Sequence, residues 1–317
     1  MASLNSHAED LSRLWKGEIL WDSPMSRFSS LKVGGPAEAI LFAECQDELT
    51  NLIGWLHTNN ICWQIIGRGS NILVPDEGLS GVVIFLDGEF TELEILDSAV
   101  QHDDDDTVKV RAGGGCLLAK LVRHCIEGGY SGLEFAIGIP GSVGGAIVMN
   151  AGAWGHEIGE FIDTVTVMDN NGTVTTEKKE NLGLAYRKWG LGPETILLFA
   201  TFILCHKEKH EIETECKKYQ DLRKQKQPLG AASAGSFFKN PPGHPAGRLI
   251  EEAGLKGFKV GGAMVSDQHA NFIINTGKAS ASDILTLMQE IQMKVFKRFG
   301  VKLEPEIHIL GTKESRP

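Results

Sequence analysis

Ile65-Ile66-Gly67-Arg68-Gly69-Ser70-Asn71 runs directly into Ile72-Leu73-Val74-Pro75. This succession limits the possible folds more than any other stretch of the chain. Gly67 and Gly69 let successive backbone N–H groups converge on one point, and Ser70 and Asn71 add side-chain donors, so the loop reads as an anion cradle. A doubly wound dinucleotide fold needs Gly-x-Gly-x-x-Gly followed by a helix. Here the residues that follow are strand-like and closed by a proline. The expectation is a phosphate loop between strands, with no Rossmann helix. Gly113-Gly114-Gly115 and Gly138-Ile139-Pro140-Gly141-Ser142-Val143-Gly144-Gly145 form two more clusters. Any one of them alone reads as a plain turn. Three of them around an antiparallel region describe a cradle for an extended dinucleotide, and FAD has that shape.

The 317 residues are enough for about two domains, each with its own core. With 42% apolar residues and a net charge of −10, the chain has a globular composition and no generally basic surface for nucleic acid. Its six cysteines (Cys45, Cys62, Cys116, Cys125, Cys205 and Cys216) contain no Cys-x-x-Cys pair. Most of them sit in apolar contexts that favour buried, inert thiols, and no metal site is expected. Met1 to Asp10 lacks the pattern of a signal peptide. The longest apolar run, 196–205, is too short to span a bilayer. The reading is a cytoplasmic protein, a monomer, with no membrane or nucleic-acid partner.

Apolar periodicity predicts helices at 8–15, 47–60, 117–127, 246–253 and from 280 onward, the last with a stripe of Ile284, Met288, Ile291, Val295 and Phe299. Strands are expected at 63–66, 82–86, 108–112, 165–168, 174–176, 196–204, 271–274 and 306–310. Asn170-Asn171-Gly172 is expected to make a hairpin turn. Asp103 to Asp106 reads as a solvated loop. The charged helix at 207–227 reads as the link between a cofactor domain (1–210, two subdomains dividing near 85–110) and a C-terminal substrate domain (211–317). The final strand, 304–311, is a candidate to return to the first domain.

Gly235-Ser236-Phe237-Phe238-Lys239-Asn240 carries the clearest chemical signal. Two aromatics dry the serine, and glycine frees the backbone that aims it, as suits a hydroxyl that delivers a proton to a bound anion. The stretch also reads as an ordinary loop. Arg187 beside Lys188 reads equally as a solvated pair, and Glu306 after Pro305 as an exposed edge carboxylate.

The loop 67–71 belongs to an ordered set of short motifs. Gly132-Leu133-Glu134-Phe135, the 138–145 cluster, Met149-Asn150-Ala151-Gly152-Ala153, Tyr186-Arg187 and the 235–241 segment follow it. Gly254-Leu255-Lys256-Gly257, Gly261-Gly262-Ala263, His269-Ala270-Asn271-Phe272 and Leu303-Glu304-Pro305-Glu306 complete the series. In order and spacing, from about residue 25 to 311, the chain resembles the UDP-N-acetylenolpyruvoylglucosamine reductase (MurB) family, in its shorter type. The resemblance implies an α+β chain: an FAD-binding domain of the PCMH or vanillyl-alcohol-oxidase type, built of two α/β subdomains, with a C-terminal α+β substrate-binding domain. It implies that NADPH reduces non-covalent FAD, which then reduces UDP-N-acetylglucosamine enolpyruvate to UDP-N-acetylmuramate for peptidoglycan. The implied catalytic residues are Arg187, Ser236 and Glu306. Cofactor contacts would come from Gly67, Arg68, Gly69, Ser70, Asn71, Gly113, Gly114, Gly138, Pro140, Gly141, Ser142, Gly144 and Gly145. Substrate contacts would come from Tyr186, Lys226, Lys239 and Asn240. Two alternatives stay open: an FAD-dependent alcohol or hydroxy-acid oxidase of the same fold, and a nucleotide-sugar-binding module without catalysis.

Overall fold

The computed structural model describes residues 4–96, 107–192, 194–228 and 230–311. The Asp103–Asp106 run and the tail after Gly311 lie outside them. Three sheets carry the molecule. In the first, Ile19–Pro24 pairs antiparallel with Pro36–Ala43, which runs parallel to Leu79–Leu86, as does Trp63–Ile65. Helix Gln46–Thr58 covers this sheet and buries Leu49, Leu52, Ile53 and Leu56, the i, i+3, i+4, i+7 stripe of an amphipathic helix.

The second sheet is antiparallel. Its order is Val174–Lys178, Ile162–Met168, Ile196–His206, Thr107–Gly113 and Leu93–Leu96. The 170–172 turn closes its first hairpin, where Asp169 Oδ1 accepts from the N–H groups of Asn171 and Thr173. Helix Leu118–Gly128 packs on this sheet and ends at Gly129 in the left-handed conformation. The expected linker helix is Lys209–Lys226. Besides joining two regions it packs on one of them, because Tyr219 belongs to the second sheet's core.

The third sheet is antiparallel, in the order Ala232–Ser236, Phe272–Asn275, Ala263–Val265, Lys259–Val260. Helix Ala281–Phe299 closes its core with the buried residues Ile284, Leu287, Met288, Ile291 and Val295. Ser280 and Asp283 form a capping box at its start. The segment after the 67–71 glycines is strand Ile72–Leu73, and it pairs parallel with His308–Ile309 near the C-terminus. One core cluster therefore holds Leu31, Val33 and Leu73 from early in the chain together with Phe237, Phe238 and Ile307 from its end.

Of the cysteines, Cys116, Cys125 and Cys216 are buried, Cys45 and Cys62 are half-buried, and none of the six forms a disulfide. Cys205 departs from the inert-core reading and is exposed, because it lies where strand Ile196–His206 runs out of the core.

Candidate active site

Ser236 and Glu306 become neighbours through backbone pairing. Glu306 N donates to Phe237 O at 2.8 Å, and Lys239 N donates to Glu304 O at 2.9 Å. Asn271, buried beneath, clamps Phe238 from both sides: its Oδ1 accepts from Phe238 N and its Nδ2 donates to Phe238 O. Phe237 and Phe238 are themselves buried. The Ser236 hydroxyl faces a cleft on this rigid base and has no hydrogen-bond partner among the described residues.

Arg187 arrives from the other side. It sits at φ 55° in a tight turn closed by reciprocal backbone bonds between Ala185 and Lys188. A non-glycine residue held there is strained, which is characteristic of functional sites. Its Nε donates to Glu306 Oε1 at 2.8 Å, and its Nη2 to Gly152 O at 3.1 Å. The two side chains are only 17% and 15% exposed. That excludes both the solvated-pair reading of Arg187 and the exposed-edge reading of Glu306. Burial pushes the Glu306 carboxyl above the ordinary carboxylate value, and the opposing pull of Arg187 and Lys239 does not cancel it.

All three groups line a cavity of about 2160 Å³. This exceeds the roughly 300–1,000 Å³ typical of a single ligand site and leaves room for a cofactor and a substrate together. Gly67, Arg68, Gly69, Ser70, Asn71, Gly114, Gly138, Pro140, Gly141, Ser142, Gly144 and Gly145 line it as well. The N–H groups of Gly67 to Ser70 donate to no acceptor among the described residues. A Cβ on Gly67 would collide with Ser142 Oγ, the atom that accepts from Gly145 N, so glycine lets the two loops meet without displacing that cap. Ser70 and Asn71 act differently from the expected free donors. Ser70 Oγ donates to Pro140 O and Asn71 Nδ2 to Glu306 O, so both brace the cradle. Ser142 caps the short helix Val143–Val148.

The remaining expected residues lie elsewhere. Gly113 is not on the cavity wall, and its missing side chain makes way for the Phe90 backbone. Tyr186, Lys226, Lys239 and Asn240 are also not among the lining residues. The Tyr186 ring lies under the Arg187 guanidinium at 4.7 Å, and Lys226 Nζ lies over Trp154 at 5.5 Å. Asn240 Oδ1 accepts from Ala246 N at the start of helix Ala246–Glu252. His269 has a structural role, since its Nδ1 accepts from Asn271 N.

Sequence reasoning missed Arg223. It lines the cavity beside Gly138, with Nε and Nη2 buried and unpartnered. Its position was readable: Ile212, Cys216, Tyr219 and Arg223 share one helical stripe, which makes Arg223 a cation on a buried face. Arg223 Nη1 donates to Gln227 Oε1 at 3.0 Å, which leaves two buried guanidinium donors free. With a row of free amides and an oversized cleft they fit a dinucleotide cofactor bearing phosphate.

The comparisons with known proteins agree with this geometry. Residues 37–177 match the family model described as FAD binding domain, and residues 227–310 the model described as UDP-N-acetylenolpyruvoylglucosamine reductase, C-terminal domain. The molecule is thus an FAD-binding domain joined to a reductase C-terminal domain. The UDP-N-acetylenolpyruvoylglucosamine reductase of Syntrophus aciditrophicus is 41% identical over 303 residues, 96% of this chain and 95% of that protein. Its counterpart in Caldanaerobacter subterraneus is 41% identical over 301 residues, 95% of this chain and 96% of its own. The crystal structure of the Thermus caldophilus reductase superposes with a TM-score of 0.77 at 37% identity, covering 92% of this chain and 98% of that one. The chain belongs to the UDP-N-acetylenolpyruvoylglucosamine reductase family.

Proposed function

We propose that this chain reduces UDP-N-acetylglucosamine enolpyruvate to UDP-N-acetylmuramate with NADPH as reductant, a step of peptidoglycan precursor synthesis. The observation that carries the reading is the meeting of Arg187 and Glu306 at 2.8 Å beside the free Ser236 hydroxyl, in the cleft that the glycine loops line. Bound FAD would supply hydride transfer from NADPH to the terminal enolpyruvyl carbon. The amides of residues 67–70 and the Arg223 guanidinium would hold it. As negative charge gathers on the neighbouring carbon and its carboxylate, Arg187 stabilises it by charge-assisted hydrogen bonds. Glu306 orients Arg187 and, with its proton favoured by burial, offers a second donor. Ser236 delivers the proton that completes the saturated lactyl ether. Tyr186, Lys226, Lys239 and Asn240 are assigned to the nucleotide-sugar end of the substrate. Residues 1–210 form the cofactor unit and 211–317 the substrate unit, working as a cytoplasmic monomer.

Anaerobic spectroscopy tests the reading. NADPH should bleach the yellow FAD-loaded protein, and the enolpyruvyl nucleotide should restore the colour with formation of UDP-N-acetylmuramate. Bleaching by a hydroxy acid, with no response to NADPH, would assign the protein to oxidase chemistry instead.

A further inference from the structure

Arg187 faces two carboxylates, Glu306 and Glu157. Glu157 Oε1 lies 3.8 Å from Arg187 Nη1. Glu157 Oε2 accepts from Asn150 Nδ2 at 2.7 Å. Asn150 is 3% exposed, sits at φ 40°, and has every side-chain polar atom engaged. Its Oδ1 accepts from Gly159 N at 3.1 Å, and its Nδ2 also reaches Ala185 O at 3.2 Å, within the turn that presents Arg187. The Asn150 carbonyl accepts from Arg187 Nη1 at 3.4 Å. Glu157 pairs with Gly152 across a short two-stranded ribbon, and Gly152 O accepts from Arg187 Nη2. A Cβ at Gly152 would fall 2.9 Å from Glu157 Cγ and 3.3 Å from Arg187 Nη1. The ribbon is therefore built to pass close to both side chains.

We propose that Glu157, held by the buried Asn150, is a positioning residue for Arg187 that shares the guanidinium charge with Glu306. One cation between two carboxylates cannot satisfy both in full, and the presence of one weakens the hold on the other. The charged groups that act on Glu306 are Arg187 and Lys239, Glu157 faces the same guanidinium from its Nη1 side at 3.8 Å, and Ser236 and His308 line the same cavity. Among these, Glu157 is the carboxylate that competes for Arg187. Its presence favours the protonated form of Glu306, the form suited to donating a hydrogen bond to a developing carboxylate charge.

The inference rests on the functional reading for its consequence, but its test does not need turnover. The FAD-loaded protein, labelled with ¹³C at glutamate carboxyls, is titrated by NMR, and the Glu306 signal is assigned by its loss in Glu306→Gln. In Glu157→Gln, which keeps size and an oxygen acceptor at a partly exposed position, the Glu306 ionisation should move to lower pH. Glu157→Asp keeps the charge and should return it most of the way to the parent value. In single turnover, the pH limb of flavin reoxidation should move with it. A Glu306 titration unmoved in Glu157→Gln, or moved as far by Glu157→Asp, would overturn the proposal. Parent protein not reoxidised by the nucleotide would instead defeat the functional reading, and the titration would still decide the role of Glu157.

Discussion

Glu306 shows how the site gives up stability for chemistry. At acid pH the folded and unfolded chains both hold its proton, and the group contributes nothing. Above about pH 4 the unfolded chain releases that proton first, because burial raises the folded carboxyl. Ionisation then costs folding free energy, and the cost grows until the folded carboxyl itself titrates. Glu306→Gln removes that cost and keeps an oxygen for Arg187 Nε. The variant should therefore melt above the parent at pH 8, with the two melting temperatures converging toward pH 4. Calorimetry across that range checks it. A variant melting below the parent at pH 8 would show that the Arg187 contact outweighs burial.

Among the elements, the N-terminus of helix Ala281–Phe299 ties distant parts of the chain together. Ser280 satisfies the N–H of Asp283, and Asp76, from the loop after Ile72–Leu73, satisfies those of Ala281 and Ser282 at 2.8 and 2.9 Å. Partial burial pushes the Asp76 carboxyl up, yet the Ser282 and Ala281 hydrogen bonds together bring it below its ordinary value. The stabilisation is therefore full at neutral pH and lost as pH falls through the folded pKa. Asp76→Ala should lower stability by about 0.5–2 kcal/mol at pH 7, as loss of a cap does. Denaturant midpoints should show the deficit fading below about pH 4. A deficit independent of pH would mean the carboxylate charge is not what holds the helix.

The same elements show what was legible in advance. The stripes of 47–60 and of the last helix announced themselves through period, and Ser280 with Asp283 announced the start of the latter. The pairing of residues 304–306 with 237–239 has no local signature, because both stretches are short and irregular. Ser236 and Glu306 were each readable as candidates through family resemblance, but their adjacency was not. Asn150, Glu157 and Asn271 went unassigned because ordinary polar residues acquire meaning only from what they clamp. Arg223 was legible only through its place on the stripe of Ile212, Cys216 and Tyr219, a signal that the helix's many surface charges mask.

At the scale of the whole molecule, the cleft joins what three sheets supply separately. Glycine loops from the first and second regions line it, Arg223 reaches in from the connecting helix, and the third sheet contributes Ser236. Arg187 and Glu306 close across it from opposite directions. On the proposed reading, the early loops hold the cofactor and the late strands complete the substrate's reduction. The two half-reactions should therefore separate in a variant that touches only the proton donor. Stopped-flow measurement of both half-reactions in Ser236→Ala is the most direct test of that division. Flavin reduction by NADPH should stay near the parent rate, while reoxidation by the enolpyruvyl nucleotide slows by roughly 10²–10⁴-fold. Equal slowing of both steps would contradict the account and make Ser236 a residue that shapes the cleft without donating the proton.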